Sequence, residues 1–308
     1  MRIMRNPRHV LLAIAVVIIW GVNFVVIGVA LRGFPPIFLA ALRFALTSLA
    51  AFFVPRPQVP WRWIAAVGLC TLAGQYGFLF AGLAQGMPEG LSSLVIQSQV
   101  PFTVLLAAGL LRERVSVRGI AGIATAGAGL VIISVARGGA VPLGALLLCV
   151  ASGASWAAGN ICTRQAKAEN GFALLVWASL FAVPPLVALS LFVEGPRAIG
   201  AAATHPHLAP IAALGFIVVV ATLIGMGSWV MLLSKNPASA VVPYALGVPV
   251  VGLAAAALLH GEHLSGIDFT GVTVVLCGLA VTVMSRSGAV MRTQSRPGAE
   301  CRHADLSA

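Results

Sequence analysis

The sequence predicts an all-α integral membrane protein of ten transmembrane helices, arranged as two inverted five-helix repeats with both termini cytoplasmic. Three observations predict it: an apolar composition, recurring apolar runs of membrane-crossing length, and an internal repeat with an odd number of spans. Of 308 residues, 59% are hydrophobic and only 9% are charged, with a mean hydropathy of +1.00. A soluble domain carries roughly a quarter charged residues, so this chain lacks the polar groups to cover a water-facing surface. Runs of about 20 residues, rising ~1.5 Å each, match a hydrocarbon core of ~30 Å. The short alternating segments of outer-membrane strands are missing, so the spans read as helices.

Hydropathy and chain breakers place the helices near 10–31, 36–54, 61–85, 89–111, 117–136, 143–164, 173–193, 208–234, 238–259 and 266–285. Arg2, Arg5 and Arg8 before Val10–Ile19 resemble the start of a signal peptide. The run nevertheless continues through Trp20 to Leu31 without a small-residue cleavage site, which makes it an uncleaved first span. The breaks carry turn chemistry: Pro35-Pro36, Pro55-Arg56-Pro57, Met87-Pro88, Gly138-Gly139, Gly195-Pro196 and Asn236-Pro237. Segment 208–234 is long enough to tilt. Residues 1–9 form a short cytoplasmic segment, and the Arg-rich tail 286–308 is expected to be disordered.

Orientation follows from the cations. With the N-terminus inside, fifteen Lys and Arg fall in cytoplasmic segments against Arg32, Arg137 and Arg197 outside, with Arg43 inside a span. That is the positive-inside bias of a plasma-membrane protein. The net charge of +11 therefore reports topology and does not point to nucleic acid.

The halves repeat. Glu113, Ser116, Gly122 and Gly129 recur as Glu262, Ser265, Gly271 and Gly278, each 149 residues later, and Val100-Pro101 is answered by Val248-Pro249. Repeats at 10–136 and 143–285 with five spans each must lie inverted in the membrane. Inverted repeats mark secondary transporters, whose substrate site lies near the midplane between the halves. A non-transporting scaffold built by duplication is the competing reading, and it leaves polar residues inside the spans unexplained.

Those polar residues are the candidate site. Trp20 and Asn23 in the first span are echoed by Trp156 and Asn160 in the sixth, and residues three or four apart share a helix face. An amide in lipid must face protein or a wet cavity. Span four adds Gln97 and Gln99, span three Gln75 with Tyr76, and span nine Tyr244. On a regular helix Gln99 shares a side with Ser92 and Thr103, whereas Gln97 and Ser93 lie on another. Pro101, Pro243 and Pro249 permit kinks. Arg43, about 10 Å into span two, either meets a substrate carboxylate or snorkels to the headgroups.

Other chemistry is excluded by what the spans lack. All eight acids lie at span ends, in loops or in the tail, which argues against an intramembrane Glu binding organic cations. Glu113 and Glu262 are expected to pair with neighbouring basic groups and fix loops. Cys70, Cys149, Cys162, Cys277 and Cys301 are scattered, giving no disulfide or zinc spacing. There is no nucleotide-binding loop and no Ser/His/Asp arrangement, so neither a cofactor, a metal nor an enzymatic activity is expected.

The stretches Trp20-Gly21-Val22-Asn23-Phe24-Val25-Val26-Ile27, Pro35-Pro36 with Leu42-Arg43-Phe44, Gly86-Met87-Pro88, Ser93-Leu94-Val95, Gln97, Gln99, Phe102-Thr103 and Glu113-Arg114 carry a resemblance. So do Ser155-Trp156, Gly159-Asn160-Ile161 and the run from Val248-Pro249 through Leu258-Leu259. In order and over residues 10–285, they are similar to the EamA-type permeases of the drug/metabolite transporter superfamily. The resemblance implies an inner-membrane exporter of small polar or zwitterionic amino-acid metabolites such as cysteine or O-acetylserine, working by alternating access. Another amino acid, a drug or a purine is the alternative cargo. Protons are the candidate coupling ion, the partners are membrane lipid and the metabolite, and the assembly is a monomer or homodimer.

Overall fold

The structure, a computed structural model, describes residues 6–111, 117–136, 141–204, 207–236, 241–260 and 266–294. Every regular element among them is helical. The long helices are α1 (Pro7–Leu31), α2 (Pro36–Ser48, tightening into a 3₁₀ turn over Leu49–Phe52), α3 (Trp61–Ala84) and α4 (Glu89–Leu110). They continue as α5 (Val117–Ala136), α6 (Leu143–Ala166), α7 (Gly171–Val193), α8 (Leu208–Leu232), α9 (Gly247–His260, entered through the 3₁₀ segment Val242–Leu246) and α10 (Gly266–Gln294). Among the described residues six are long and apolar enough to cross a membrane: α1, α3, α4, α6, α7 and α8; shorter apolar helices accompany them. Phe52, Phe53, Phe192 and Leu258 are each more than four-fifths exposed, as lipid-facing side chains should be.

Local chemistry sets the helix ends. Asn6 caps α1 by accepting from the Arg8 amide at 3.0 Å, with Pro7 in the first turn. Asn170 does the same for α7 through the Ala173 amide at 3.1 Å. At α2 the cap residue is Pro35, which offers no side-chain acceptor. Its orphan donors are met from the other half of the chain, where the Glu194 carboxylate accepts from the Ile37 amide at 2.6 Å and the Phe38 amide at 3.0 Å. Glu194 also takes the Ser190 hydroxyl at 2.6 Å, which fixes it at the end of α7.

The packing maps onto itself when five is added to each helix number. α1 packs on α9 as α6 packs on α4; α8 packs on α1 as α3 packs on α6; α2 meets α7, and α5 meets α10. The irregular backbone repeats too. α3 contains a π-helical stretch over Gly68–Gly74 and α8 one over Phe216–Ile224, at corresponding places in the two halves. α4 tightens to 3₁₀ over Ile96–Ser98, and the counterpart Val242–Leu246 precedes α9. The α segment after each 3₁₀ turn starts at Gln99 or Gly247, so Pro101 and Pro249 each stand third in it. The first residue of each segment still donates to the 3₁₀ turn before it, and the proline, which has no N–H, falls where the ladder changes from one pairing to the other.

The α5–α10 crossing brings backbone against backbone. A Cβ on Gly129 would stand 2.7 Å from the Val275 amide nitrogen and 2.8 Å from the Gly271 carbonyl oxygen. One on Gly278 would stand 2.6 Å from the Gly122 carbonyl oxygen and would press on the Ala126 amide nitrogen. The higher residue on one helix meets the lower on the other, so the crossing is antiparallel, and glycines let the backbones touch.

Two expectations change. A turn was expected at Gly195-Pro196; Gly195, at φ +80°, makes it, but a helix follows over Gly195–Thr204, because proline suits a first helical turn. The tail was expected to begin at 286, yet α10 runs on to Gln294. Residues 295–308, Glu113 and Glu262 lie outside the described residues. Gly129→Leu or Gly278→Leu should disrupt the α5–α10 crossing by more than the ~1–3 kcal/mol of ordinary overpacking, since the obstacle is backbone. Thermal melting of the purified protein in detergent would show the drop.

Candidate functional site

A cavity of about 120 Å³ lies at mid-length of the helices and is lined from both halves. A single water needs only ~10–15 Å³, so the space suits several waters or a small metabolite. α1 contributes Trp20, Asn23, Phe24 and Ile27; α2 contributes Arg43 and Phe44; α3 contributes Thr71, Leu72, Gln75, Tyr76 and Leu79. α4 adds Ile96, Gln97 and Gln99, α6 Trp156, α7 Leu175, and α8 Ala221, Thr222 and Met226. Ala245 and Val248 come from the start of α9. No described residue of α5 or α10 is in the lining.

Irregular backbone makes the lining polar. In a π turn the carbonyls are offset from their usual donors, and side chains collect them. The Trp20 indole donates to the Ala221 carbonyl at 3.1 Å, inside the α8 π stretch. On the other side, Ser155 donates to the Cys70 carbonyl at 2.8 Å, inside the α3 π stretch. Thr222 donates to the Ile217 carbonyl at 2.7 Å. On a regular helix Gln97 and Gln99 would point about 160° apart, at 100° per residue. The 3₁₀ turn, at 120° per residue, closes that to about 120°, and both glutamines reach the cavity. Gln97 donates to the Ala245 carbonyl at 3.4 Å.

Arg43 is 3% exposed and does not snorkel. Its Nε donates to the Thr222 hydroxyl at 3.1 Å, and its guanidinium carbon lies 3.9 Å from the Tyr76 ring centroid. Cation–π stacking of a desolvated guanidinium contributes about 2 kcal/mol, less than the several kcal/mol that burial of an ion costs. Asn23 is buried as well. Three polar atoms in the lining, Asn23 Oδ1, Arg43 Nη1 and Thr71 Oγ1, are buried without a hydrogen-bond partner among the described residues. Natural interiors rarely leave such groups unmet.

Of the nine residues singled out from the sequence, Trp20, Asn23, Arg43, Gln75, Gln97, Gln99 and Trp156 come together around this cavity. Asn160 stands one layer behind: its amide donates to Gln99 Oε1 at 3.0 Å and to the Thr103 hydroxyl at 3.1 Å. Tyr244 sits beside the lining residue Ala245 but is not in the lining; it packs both on the main core and on a satellite cluster of Ala13, Leu232 and Val241. Thr71 and Thr222 were not singled out. Each is a lone hydroxyl in an apolar run, and the two fall within two residues of repeat equivalence, a signal the sequence did carry. Trp229, whose ring lies 5.3 Å from that of Trp20, supports the cavity wall and left no comparable mark.

The cysteines Cys70, Cys149, Cys162 and Cys277 are free thiols. Among the described residues no group of His, Cys, Asp and Glu is placed to hold a metal.

Comparison with known proteins bears on this arrangement. The model of the EamA-like transporter family matches the chain twice, over residues 7–135 and 143–284. A probable amino-acid metabolite efflux pump of Salmonella typhimurium strain LT2 is 39% identical over 88% of this chain and 93% of its own length. The protein of the same description from Escherichia coli strain K12 is 38% identical over the same shares. An uncharacterized inner membrane transporter of Escherichia coli strain K12, YedA, is 24% identical over 88% of this chain and 89% of its own. One solved crystal structure superposes on 94% of this chain and 100% of its own with a TM-score of 0.61 at 18% identity, a likeness of fold alone. Matched in both halves and by near-full-length relatives, the chain belongs to the EamA-like transporter family and is a multi-pass transporter of the bacterial inner membrane, not an enzyme.

Proposed function

We propose that the protein exports small amino-acid metabolites, of the cysteine and O-acetylserine kind, by alternating access around the central cavity. One observation carries the reading: a cavity drawn from both halves, at mid-length of the helices, holds buried polar atoms that meet no partner among the described residues. The size of that cavity favours a small cargo. The efflux pumps of Salmonella typhimurium and Escherichia coli are described by their names as acting on amino-acid metabolites, which supports the same class here.

In this reading the chain crosses the membrane ten times, with both termini cytoplasmic and the second repeat inverted. The charge asymmetry of the loops supports the sidedness. The antiparallel α5–α10 crossing and the self-mapping packing support the inversion. Trp20, Asn23, Gln75, Gln97, Gln99 and Trp156 contact the cargo, and Asn160 acts through Gln99. Among the described residues the lining carries no carboxylate and no imidazole. Coupling to protons, if present, therefore runs through a group outside the cavity.

Reconstituted in proteoliposomes, the protein should release labelled cysteine and O-acetylserine, and should discriminate them from purines and organic cations. Failure to move any member of a broad amino-acid panel, with folded protein, would sink the cargo assignment. Asn23→Ala should cut efflux by about tenfold or more, the loss of roughly one good hydrogen bond to cargo. Asn160→Ala should have a smaller effect, because Gln99 keeps its place in the lining while losing its anchor. Unchanged efflux in both variants would instead fit a scaffold.

A further inference from the structure

We infer that Arg43 is the carboxylate receptor of the transporter and sets its charge selectivity: the cargo must present a free carboxylate to Nη1, while Asn23 Oδ1 and Thr71 Oγ1 receive its hydrogen-bond donors. The inference rests on the transport reading and narrows it to α-amino acids with an unmodified acid group.

Three facts about Arg43 carry it. An arginine guanidinium stays protonated in proteins, and this one is 3% exposed, so a full positive charge is buried. Its protein contacts are neutral: Nε is used by the Thr222 hydroxyl and the guanidinium is stacked on the Tyr76 ring, whereas Nη1 has no partner among the described residues. Finally, no Asp or Glu is present in the described lining to neutralise it. The carboxylate bonded to the same helix, Glu194, is occupied at the start of α2 by two backbone amides and the Ser190 hydroxyl.

A buried cation with one nitrogen unmet is costly to keep for structure alone, since an apolar residue of similar size would pack there without that cost. An arriving carboxylate removes the penalty and gains a charge-assisted hydrogen bond. The remaining unmet atoms have the complementary sign. Asn23 Oδ1 is an acceptor and Thr71 Oγ1 can accept, so they suit an ammonium or hydroxyl proton on the same cargo. A cargo that carries only a positive charge would meet Arg43 as a like charge in a buried site, where repulsion is less screened than at a water-facing surface. A hydroxyl or thiol side chain is not decisive in this scheme, because the lining beyond these groups is mixed and small.

The test compares acids with their uncharged-carboxyl counterparts. Binding of L-serine and L-cysteine, and of L-serinamide, L-cysteinamide and cysteamine, would be measured on the full-length protein by calorimetry and by efflux from proteoliposomes. The wild type should prefer each acid over its carboxyl-free counterpart by at least about 30-fold, the lower end for losing one partner of a buried charge pair. In Arg43→Gln that preference should collapse towards unity, and Arg43→Lys should recover part of it. A folding defect would weaken acids and amides alike, so the ratio separates recognition from structure. Ligand-free Arg43→Gln should melt no lower than the wild type, as expected when an uncompensated charge is removed. Equal binding of acids and amides by the wild type, or an unchanged ratio in Arg43→Gln, overturns the role of Arg43 while leaving amino-acid export intact. If neither acids nor amides are bound or moved, the export reading itself falls.

Discussion

Backbone hydrogen bonding in a medium without water is the constraint on which the rest of this structure depends. In hydrocarbon each unmet N–H or carbonyl costs several kcal/mol, so a chain spanning lipid is helical and irregular only where protein or a cavity can answer the freed groups. The π stretches of α3 and α8 and the 3₁₀ turns of α4 and before α9 obey that rule. Each borders the central cavity, and carbonyls in both π stretches are taken up by Trp20 and Ser155 from a neighbouring helix. Prolines fall in the first turn after each 3₁₀ segment, where the ladder is already irregular. The irregularities are thus the means by which an otherwise uniform bundle presents polar groups at mid-depth.

Duplication places these irregularities in register. Because the two halves pack by the same helix-to-helix scheme, a π stretch in one half faces the cavity from one side as its counterpart does from the other. α2 and α7, and α5 and α10, are each paired with their own counterpart across the approximate symmetry. The α5–α10 pair, closed by glycines, stands apart from the cavity and joins the halves. The Glu194 clasp joins them again at the start of α2. That clasp holds the helix carrying Arg43, so an acid at a helix end and a cation at mid-length belong to one positioning device.

The symmetry is broken within the cavity lining. Arg43 has no cationic counterpart among the described lining residues of the second half, and in the register set by the two prolines Gln99 is answered by Gly247. The first half thus supplies the amides and the cation of the lining, and the second half mainly apolar groups with the Thr222 hydroxyl and the Trp156 indole.

The sequence by itself determined the all-helical membrane class, the family's double match along the chain, and most of the residues that line the cavity. Polar side chains in lipid are costly enough that Asn23, Gln75, Gln97, Gln99 and Arg43 stand out without any structure, and Trp20 and Trp156 stand out by repetition. Tertiary structure alone decided how they are used. Helical periodicity set Gln97 and Gln99 on different sides, and only the 3₁₀ turn brings both to the cavity. Periodicity likewise treated Asn23 and Asn160 as equals, yet a single layer of packing makes Asn23 a lining group and Asn160 the anchor of Gln99. For Arg43 the sequence left two outcomes, the headgroups or a cargo. The structure turns it inward, on a helix whose start is held by Glu194, a residue more than 150 positions away. Local patterns report which groups lipid will not tolerate; which partner answers each one is a property of distant segments brought together.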